Sequence, residues 1–285
     1  MAQLHLLQLF CPSDIAVVRT YERRYGVSNS TERDRWDARY TGRQQNQTLR
    51  LIWRKAYGED YPEEAEPNSF VTLSELRRIV RELRVGPGQT FADLGCGDGG
   101  LGLWVAREAG AGMIGIDFSP VAVDRAAQRA VALGLADRAR FQVGDVQTTG
   151  LPDASMDGAM SVDVLLFVPD KAAGMREVAR ILRPGARFIF TSWDYDLPKL
   201  NGAEAPQVPD HRPLLRDAGL IVEAYEEPPD WRPRQRAVYD GILAAQSILV
   251  KEAGDVNVRG LIDQALKRPA ELPYGRRVLA IVRKT

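Results

Sequence analysis

The sequence predicts an α/β fold: a doubly wound, mostly parallel sheet of seven strands, with a helical extension ahead of it and a helical insertion before the last strand. Three observations carry this. From about residue 72 onward, apolar runs of strand length alternate with helical periods, the pattern of strands joined by crossover helices. A glycine-rich turn sits between the first strand and the helix behind it. Helix starts and stops carry their own capping residues.

Thr72-Leu-Ser-Glu75 is a capping box, Leu76, Ile79, Val80 and Leu83 form one apolar face behind it, and Gly86-Pro87-Gly88 is expected to end that helix. The first strand spans Thr90 to Leu94, and the helix after the glycine turn runs through about Ala109. Met113 to Asp117 is the second strand. Ser119 caps a helix with Pro120 at its first position, and Gly134 stops it. Strands follow at Arg140 to Val143 and Met156 to Val162. A helix from about Lys171 to Leu182 is expected to end at Pro184-Gly185, and Arg187 to Ser192 is the fifth strand. Residues 194–213 read as a long polar loop that carries part of a substrate pocket. A short helix to Gly219 and a strand from Leu220 to Tyr225 come next. One helix with Val238, Ile242, Leu243, Leu249 and Val250 on a face closes at Gly254, a second covers Val258 to Leu266, and the last strand is Arg277 to Val282.

The chain has 285 residues, of which 45% are hydrophobic and 27% charged, so it is expected to bury a sizeable core. Lys plus Arg and Asp plus Glu are both 38, a formal net charge of 0, which argues against a nucleic-acid partner. Cys11 and Cys96 make no disulfide framework and match no metal-ligand spacing, so no metal is expected and a reducing cytoplasm fits. The apolar start through Phe10 lacks a basic n-region and is far shorter than the roughly 18 residues of a spanning helix, so neither export nor a membrane span is expected.

Residues 1–71 read as a helical lid and oligomerisation segment, and residues 72–285 as the core with cap elements at 194–213 and 231–275. Val17, Val18, Tyr21 and Tyr25 share a helical face before Gly26, as do Leu49, Ile52, Trp53 and Ala56 before Gly58. Such stripes must be covered, and a polar connection from Thr41 to Gln47 leaves room for the first helix to cross to a partner in a homo-oligomer. Most aromatics here read as packing; Tyr21 and Tyr57 are the two expected to reach the cofactor pocket.

Phe91-Ala-Asp-Leu-Gly95-Cys-Gly97-Asp-Gly99-Gly100 is the strongest local signal. Its glycines fit two spacings: Gly95, Gly97 and Gly100 suit a dinucleotide, whereas Gly95, Gly97 and Gly99 suit a nucleoside-methionine ligand. The acids separate the two. A pyrophosphate needs bare amides at a helix start and is repelled by Asp93 and Asp98, while a ligand with an ammonium and a sulfonium tolerates both. Asp117, 22 residues after Gly95, stands where either ligand class places a ribose acceptor. Asp145, after the third strand, suits an adenine amino group.

On Asp93-Leu-Gly-Cys-Gly-Asp-Gly99, Gly115-Ile-Asp-Phe-Ser119, Gly144-Asp145, Ser161-Val-Asp-Val164 and Arg176 through Gly185, the sequence resembles class I S-adenosylmethionine-dependent methyltransferases of the ubiquinone-biosynthesis-like and natural-product tailoring type. The resemblance implies a Rossmann-like core that binds S-adenosylmethionine and releases S-adenosylhomocysteine. Asp93, Gly95, Cys96, Gly97 and Gly99 would border the methionine part, with no chemistry assigned to the thiol. Asp117 would hold the ribose, Phe118 would flank the adenine, Asp145 would read its amino group with Val146 also at the cofactor, and Ser161 and Asp163 would face the sulfonium and the acceptor. Leu165-Leu166-Phe167 lacks the histidine that many relatives carry there. With His5 and His211 the only histidines, His211 is the first candidate base and Asp163, Asp194 and Tyr195 are the others, a short supply that leans toward carbon or nitrogen rather than oxygen as nucleophile. The expected acceptor is a small hydrophobic, aromatic or prenylated secondary metabolite; the alternative is an S-adenosylmethionine-binding protein with a non-methylating catalytic or assembly role.

Overall fold

The structure, a computed structural model, describes residues 33–34, 36–37, 40–41, 47–67, 69–200 and 207–285. The chain divides into two compact units, residues 1–36 and 37–285. Of the first, Arg33, Asp34 and Trp36 are described, all helical. Tyr21, the Val17–Tyr25 stripe and the connection at 42–46 lie outside the described residues.

In the second unit the elements run α1 (Gln47–Tyr57), α2 (Leu73–Leu83), β1 (Thr90–Leu94), α3 (Gly100–Ala109), β2 (Gly112–Asp117), α4 (Pro120–Ala132), β3 (Ala139–Val143), β4 (Met156–Val162), α5 (Lys171–Ile181), β5 (Leu182–Tyr195), α6 (Arg212–Asp217), β6 (Leu220–Glu226), α7 (Trp231–Ala244), α8 (Gln246–Ala253), α9 (Asp255–Lys267) and β7 (Gly275–Lys284). The seven strands form one sheet in the order β3-β2-β1-β4-β5-β7-β6. The first five are parallel, and β7 runs antiparallel between β5 and β6. The order reverses at β1, so the strand ends there open the crevice in which doubly wound sheets bind ligands.

Period-two alternation gives the sheet two apolar faces. Phe91, Met113, Met160 and Ile189 meet Leu76, Ile79 and Leu83 of α2 and Leu103 of α3. Leu94, Ile116, Phe188 and Phe190 meet Met175 and Val178 of α5 and Leu215 of α6. A third cluster joins α1 to α7, α8 and α9 through Trp53, Tyr57, Val238, Ile242, Leu249 and Ile262. Gly241 of α7 lets α1 approach: a Cβ there would stand 2.6 Å from Ile52 Cγ2. Residues 47–71 therefore pack with the core, and the compact unit begins at Asp37 rather than at Thr72.

The expected boundaries of β1 and β4 coincide with the observed ones, and the capping box forms, with Thr72 Oγ1 accepting from the Glu75 amide at 3.1 Å and Glu75 Oε2 accepting from the Thr72 amide at 2.8 Å. Several elements differ, and β5 already begins at Leu182, so Pro184-Gly185 lies within the strand rather than ending a helix. The helix expected to reach Gly86 stops at Leu83, capped by Arg84 in the left-handed region at φ +53°. The single helix expected before Gly254 breaks at Ala245 into α7 and α8. β5 extends to Tyr195 because β7 pairs with it all the way, Tyr195 opposite Gly275, so Asp194 and Tyr195 are strand residues and not loop. Among the described residues no helix is long and apolar enough to cross a membrane.

Candidate functional site

The crevice is built where β1 hands the chain to α3. The amides of Gly95 and Cys96 both donate to the Ile116 carbonyl, at 2.8 and 3.0 Å, which folds the loop back over β2. Gly95, Gly97 and Gly99 all have positive φ. At Gly95 a second constraint operates: a Cβ would stand 2.4 Å from Val164 Cγ2, so the turn tolerates no side chain. The loop thus lies directly against the segment that leaves β4.

Asp117, at the end of β2, holds this loop. Its Oδ2 accepts from the Gly97 amide at 2.8 Å and its Oδ1 from the Ser119 amide at 3.0 Å. Burial pushes its carboxyl up to about 6, against the pull of those two donors and with a further push from Asp37 and Asp98. Each oxygen retains a lone pair for a ligand hydroxyl. Asp93 is buried on the α3 face of β1, and its Oδ2 has no hydrogen-bond partner. Burial, then the charge of Asp117, pushes its carboxyl up to about 7. The thiol of Cys96 is buried and pushed up by burial and by Asp117, Asp93 and Asp98, the opposite of what a nucleophile needs.

Asp145 is half-buried at the end of β3, where its Oδ1 accepts from the backbone and side-chain nitrogens of Gln147 at 2.7 and 3.0 Å. The Gly144 amide donates to the Asp117 carbonyl at 3.0 Å, which sets the two strand ends side by side. Phe118 is half-buried beside them and Val146 is buried. Asp93, the glycine loop, Asp117, Phe118, Asp145 and Val146 therefore gather at successive strand ends. A crevice lined by three carboxylates, one with an orphaned oxygen, suits a ligand that brings positive charge and hydroxyl donors.

Four expected residues are placed elsewhere in function. The Ser161 hydroxyl is fully buried and donates to the Leu94 carbonyl at 2.8 Å, so it ties β4 to β1 instead of facing the crevice. Asp163 is spent: its Oδ1 accepts from Thr191 Oγ1 at 2.6 Å and Arg277 Nη2 at 3.1 Å, and its Oδ2 accepts from the Phe70 amide at 2.7 Å. Arg277, itself buried, also pairs with Glu75, so a guanidinium between two carboxylates holds the end of β4. These three partners hold the Asp163 carboxylate in a structural network. Tyr57 is buried with Trp53 and Tyr61, and its hydroxyl donates to the Phe70 carbonyl at 3.1 Å, which makes it a core residue of the helical cap.

His211 also lies away from the strand-end crevice. It is wholly buried, its Nδ1 lies 2.8 Å from Asp194 Oδ1, its Nε2 lies 3.4 Å from Ser192 Oγ, and its ring packs on Phe190. Ser192 and Asp194 share a face of β5 with Phe188 and Phe190, against α5 and α6. Trp193 and Tyr195 project from the other face toward Trp231 and Phe70. The imidazole thus sits on the opposite side of the strand from the cap.

Sequence reasoning missed what lies on that cap side. Trp193, Tyr195 and Trp231 form an aromatic cluster on which Phe70 and Leu166 pack, and a cleft opens beside it. Tyr195 was named from the sequence only as a candidate base, and Trp193 was not singled out. Tyr40 was passed over in favour of Tyr21 and Tyr57, yet its hydroxyl lies 2.9 Å from where a Cβ at Gly97 would stand, and Arg125 donates to its carbonyl.

Residues 92–190 match the family described as "Methyltransferase domain". Among curated proteins, the chain is 36% identical over 143 residues to the probable chloroplastic tocopherol O-methyltransferase of Oryza sativa subsp. japonica, covering 50% of this chain and 38% of that one. It is 27% identical over 214 residues to phosphoethanolamine N-methyltransferase 1 of Arabidopsis thaliana, covering 70% of this chain and 42% of that one. The chain thus spans about two fifths of the length of these relatives. Among solved structures, the [4+2]-cyclase SpnF superposes with a TM-score of 0.65 at 21% identity, over 87% of this chain and 96% of that one, a likeness of fold. Residues 92–190 thus match a methyltransferase domain, and the chain is similar over that stretch to S-adenosylmethionine-dependent methyltransferases.

Proposed function

We propose that this protein transfers a methyl group from S-adenosylmethionine to a small, largely apolar acceptor. The observation that carries the reading is the strand-end constellation: a left-handed glycine loop, the orphaned Oδ2 of Asp93, and Asp117 with lone pairs to spare. When bound, the cofactor supplies an electrophilic methyl on a sulfonium. In this reading Asp93 compensates the ammonium, Asp117 accepts the two ribose hydroxyls, Asp145 accepts from the adenine amino group, and Phe118 and Val146 flank the base. Tyr40 and the cap aromatics exclude water from the methyl, and the rate comes from alignment of the acceptor.

With Asp163 paired and His211 on the far face, the nucleophile is one that attacks without a strong base, a carbon or a neutral nitrogen before an oxygen. Calorimetry tests the cofactor reading: S-adenosylmethionine and S-adenosylhomocysteine bind at one site per chain while NAD does not, and tight NAD binding would overturn it. The likeness in fold to a [4+2]-cyclase favours one alternative, a methyltransferase fold serving another reaction. Retained S-adenosylmethionine that no acceptor panel converts to S-adenosylhomocysteine would support that alternative. A homo-oligomer with an exchanged N-terminal helix belongs to the same proposal, and light scattering of a variant lacking residues 1–26 tests it.

A further inference from the structure

The connection from α1 to α2 is fastened to the glycine loop at both of the loop's ends. At the second end Ala65 is fully buried, and its carbonyl oxygen stands 2.1 Å from where a Cβ on Gly100 would be. Gly100 opens α3 without a positive φ, at a position where alanine is the better helix former. Its missing side chain therefore answers to the connection lying on it and not to backbone strain. Arg129 of α4 closes this contact: its Nη2 donates to the Ala65 carbonyl at 3.3 Å and lies 3.3 Å from Glu66 Oε2, and its Nη1 lies 3.9 Å from Asp98 Oδ1. One guanidinium thus bridges the connection and the loop.

At the first end the fastening is Asp163. The chain leaves β4 through this residue in the left-handed region at φ +58°, and Asp163 Oδ2 accepts from the Phe70 amide at 2.7 Å. Val164, next in the chain, is the side chain that abuts Gly95. The Phe70 ring lies against Trp53 of α1, Trp193 of β5 and Tyr239 of α7, at centroid separations of 5.0, 6.1 and 5.7 Å. A shift of the helical cap at Phe70 is therefore passed through one hydrogen bond and one peptide to the Gly95 turn.

We infer that Arg129 and Asp163 are positioning residues that hold the glycine loop in its ligand-binding shape, so that docking of the α1–α2 connection sets how tightly the loop's ligand binds. The inference rests on the methyltransferase reading only for what that ligand is. Glycine loses more freedom on ordering than any other residue, so a loop with three left-handed glycines gains most from being held before the ligand arrives. Such coupling is reciprocal: the factor by which docking tightens the ligand is the factor by which the ligand tightens docking.

The test compares the full chain with Arg129→Gln, Gly100→Ala and Asp163→Asn, the last because asparagine also tolerates the left-handed region. Arg283→Gln, in the pair with Glu223 between β6 and β7, is the control. Calorimetry reads S-adenosylhomocysteine affinity, and hydrogen exchange reads the Phe70 and Gly97 amides. In the parent, saturating S-adenosylhomocysteine is expected to slow exchange at Phe70 by about tenfold, and each of the three variants to weaken its binding by about the same factor. In the ligand-free variants the Gly97 amide, which donates to Asp117 in the parent, exchanges faster. The control changes neither. A merely structural role would lower the melting temperature of Arg129→Gln and leave its affinity within twofold of the parent, and that result overturns the inference. Exchange at Phe70 that is unchanged by bound S-adenosylhomocysteine does so too. If Gly100→Ala or Asp163→Asn fails to fold, Arg129→Gln decides. A parent that binds no S-adenosylhomocysteine would sink the methyltransferase reading; Gly97 exchange in the ligand-free proteins then decides whether the connection holds the loop, and equal rates in Arg129→Gln and the parent overturn it.

Discussion

Replacing Asp93 with asparagine should move stability and cofactor affinity in opposite directions. The Asp93 carboxyl, ordinarily near 3.8, is pushed up to about 7 by burial and by Asp117. A carboxyl whose folded value is raised costs the folded state nothing below its unfolded value and progressively more as pH climbs to its folded value, because the unfolded chain gives up its proton first. Between pH 5.5 and 8 that cost grows by about 1.5 pKa units, on the order of 2 kcal/mol. Asparagine does not titrate. The ligand-free variant should therefore gain on the parent as pH rises, and at roughly 2–4 °C per kcal/mol the difference in melting temperature should widen by about 4–8 °C across that interval. Scanning calorimetry without cofactor reads this directly. In the same variant S-adenosylmethionine affinity should fall about tenfold or more at pH 8, since a charge-assisted contact to the ammonium is lost. A melting difference that does not change with pH, or an affinity that stays within twofold of the parent, would refute the argument that Asp93 is a buried charge, eased only by the Gly102 amide, that is held for the cofactor.

Asp117→Ala should weaken S-adenosylmethionine binding by about 2–4 kcal/mol through loss of two charge-assisted bonds to the ribose; calorimetry within twofold of the parent would remove Asp117 from the site. Gly95→Ala, at φ +77° and with Val164 Cγ2 2.4 Å from the new Cβ, should lose cofactor binding while circular dichroism stays native-like. Arg277→Met leaves Glu75 and Asp163 facing one another without their guanidinium and should cost about 3–5 kcal/mol in urea denaturation. His211→Gln should lower the melting temperature yet leave the shape of the pH–rate profile unchanged, and loss of a limb of that profile would restore the imidazole as a base.

What was legible in the sequence is what is local. The β1 and β4 boundaries, the capping box, the Ser119 cap and the glycine loop are each specified within a few residues, and the acids at the ends of β1 and β2 fall into place once the strands do. What was not legible depends on which distant segments meet. Glu75 and Arg277 are 202 residues apart in sequence and in contact in the fold. The cleft draws on β5, α7 and the turns before β7, none of which announces the others. His211 was placed near the acceptor because it follows a long loop, but the extension of β5 past Ser192, fixed by pairing with β7, decides on which face its partner Asp194 lies.

That pairing also explains how one strand serves two unrelated tasks. In the antiparallel register Trp193 lies opposite Arg277 and Asp194 opposite Arg276. Directly opposed residues on paired strands share a face, and successive residues alternate, so two consecutive arginines are sent to opposite sides of the sheet. Arg276 bonds Asp194 at 2.9 Å and joins the buried network of His211 and Tyr225 that pins α6. Arg277 lies over Trp193 and clamps Asp163 and Glu75 on the cap side. A one-residue slip between β5 and β7 would exchange the faces of both arginines, leaving Asp163 and Asp194 each buried without its cation. The charge pairs therefore fix the register, the register places Trp193 and Tyr195 toward the cap, and the aromatic cluster with Trp231 follows from an electrostatic requirement met on both faces of the same strand.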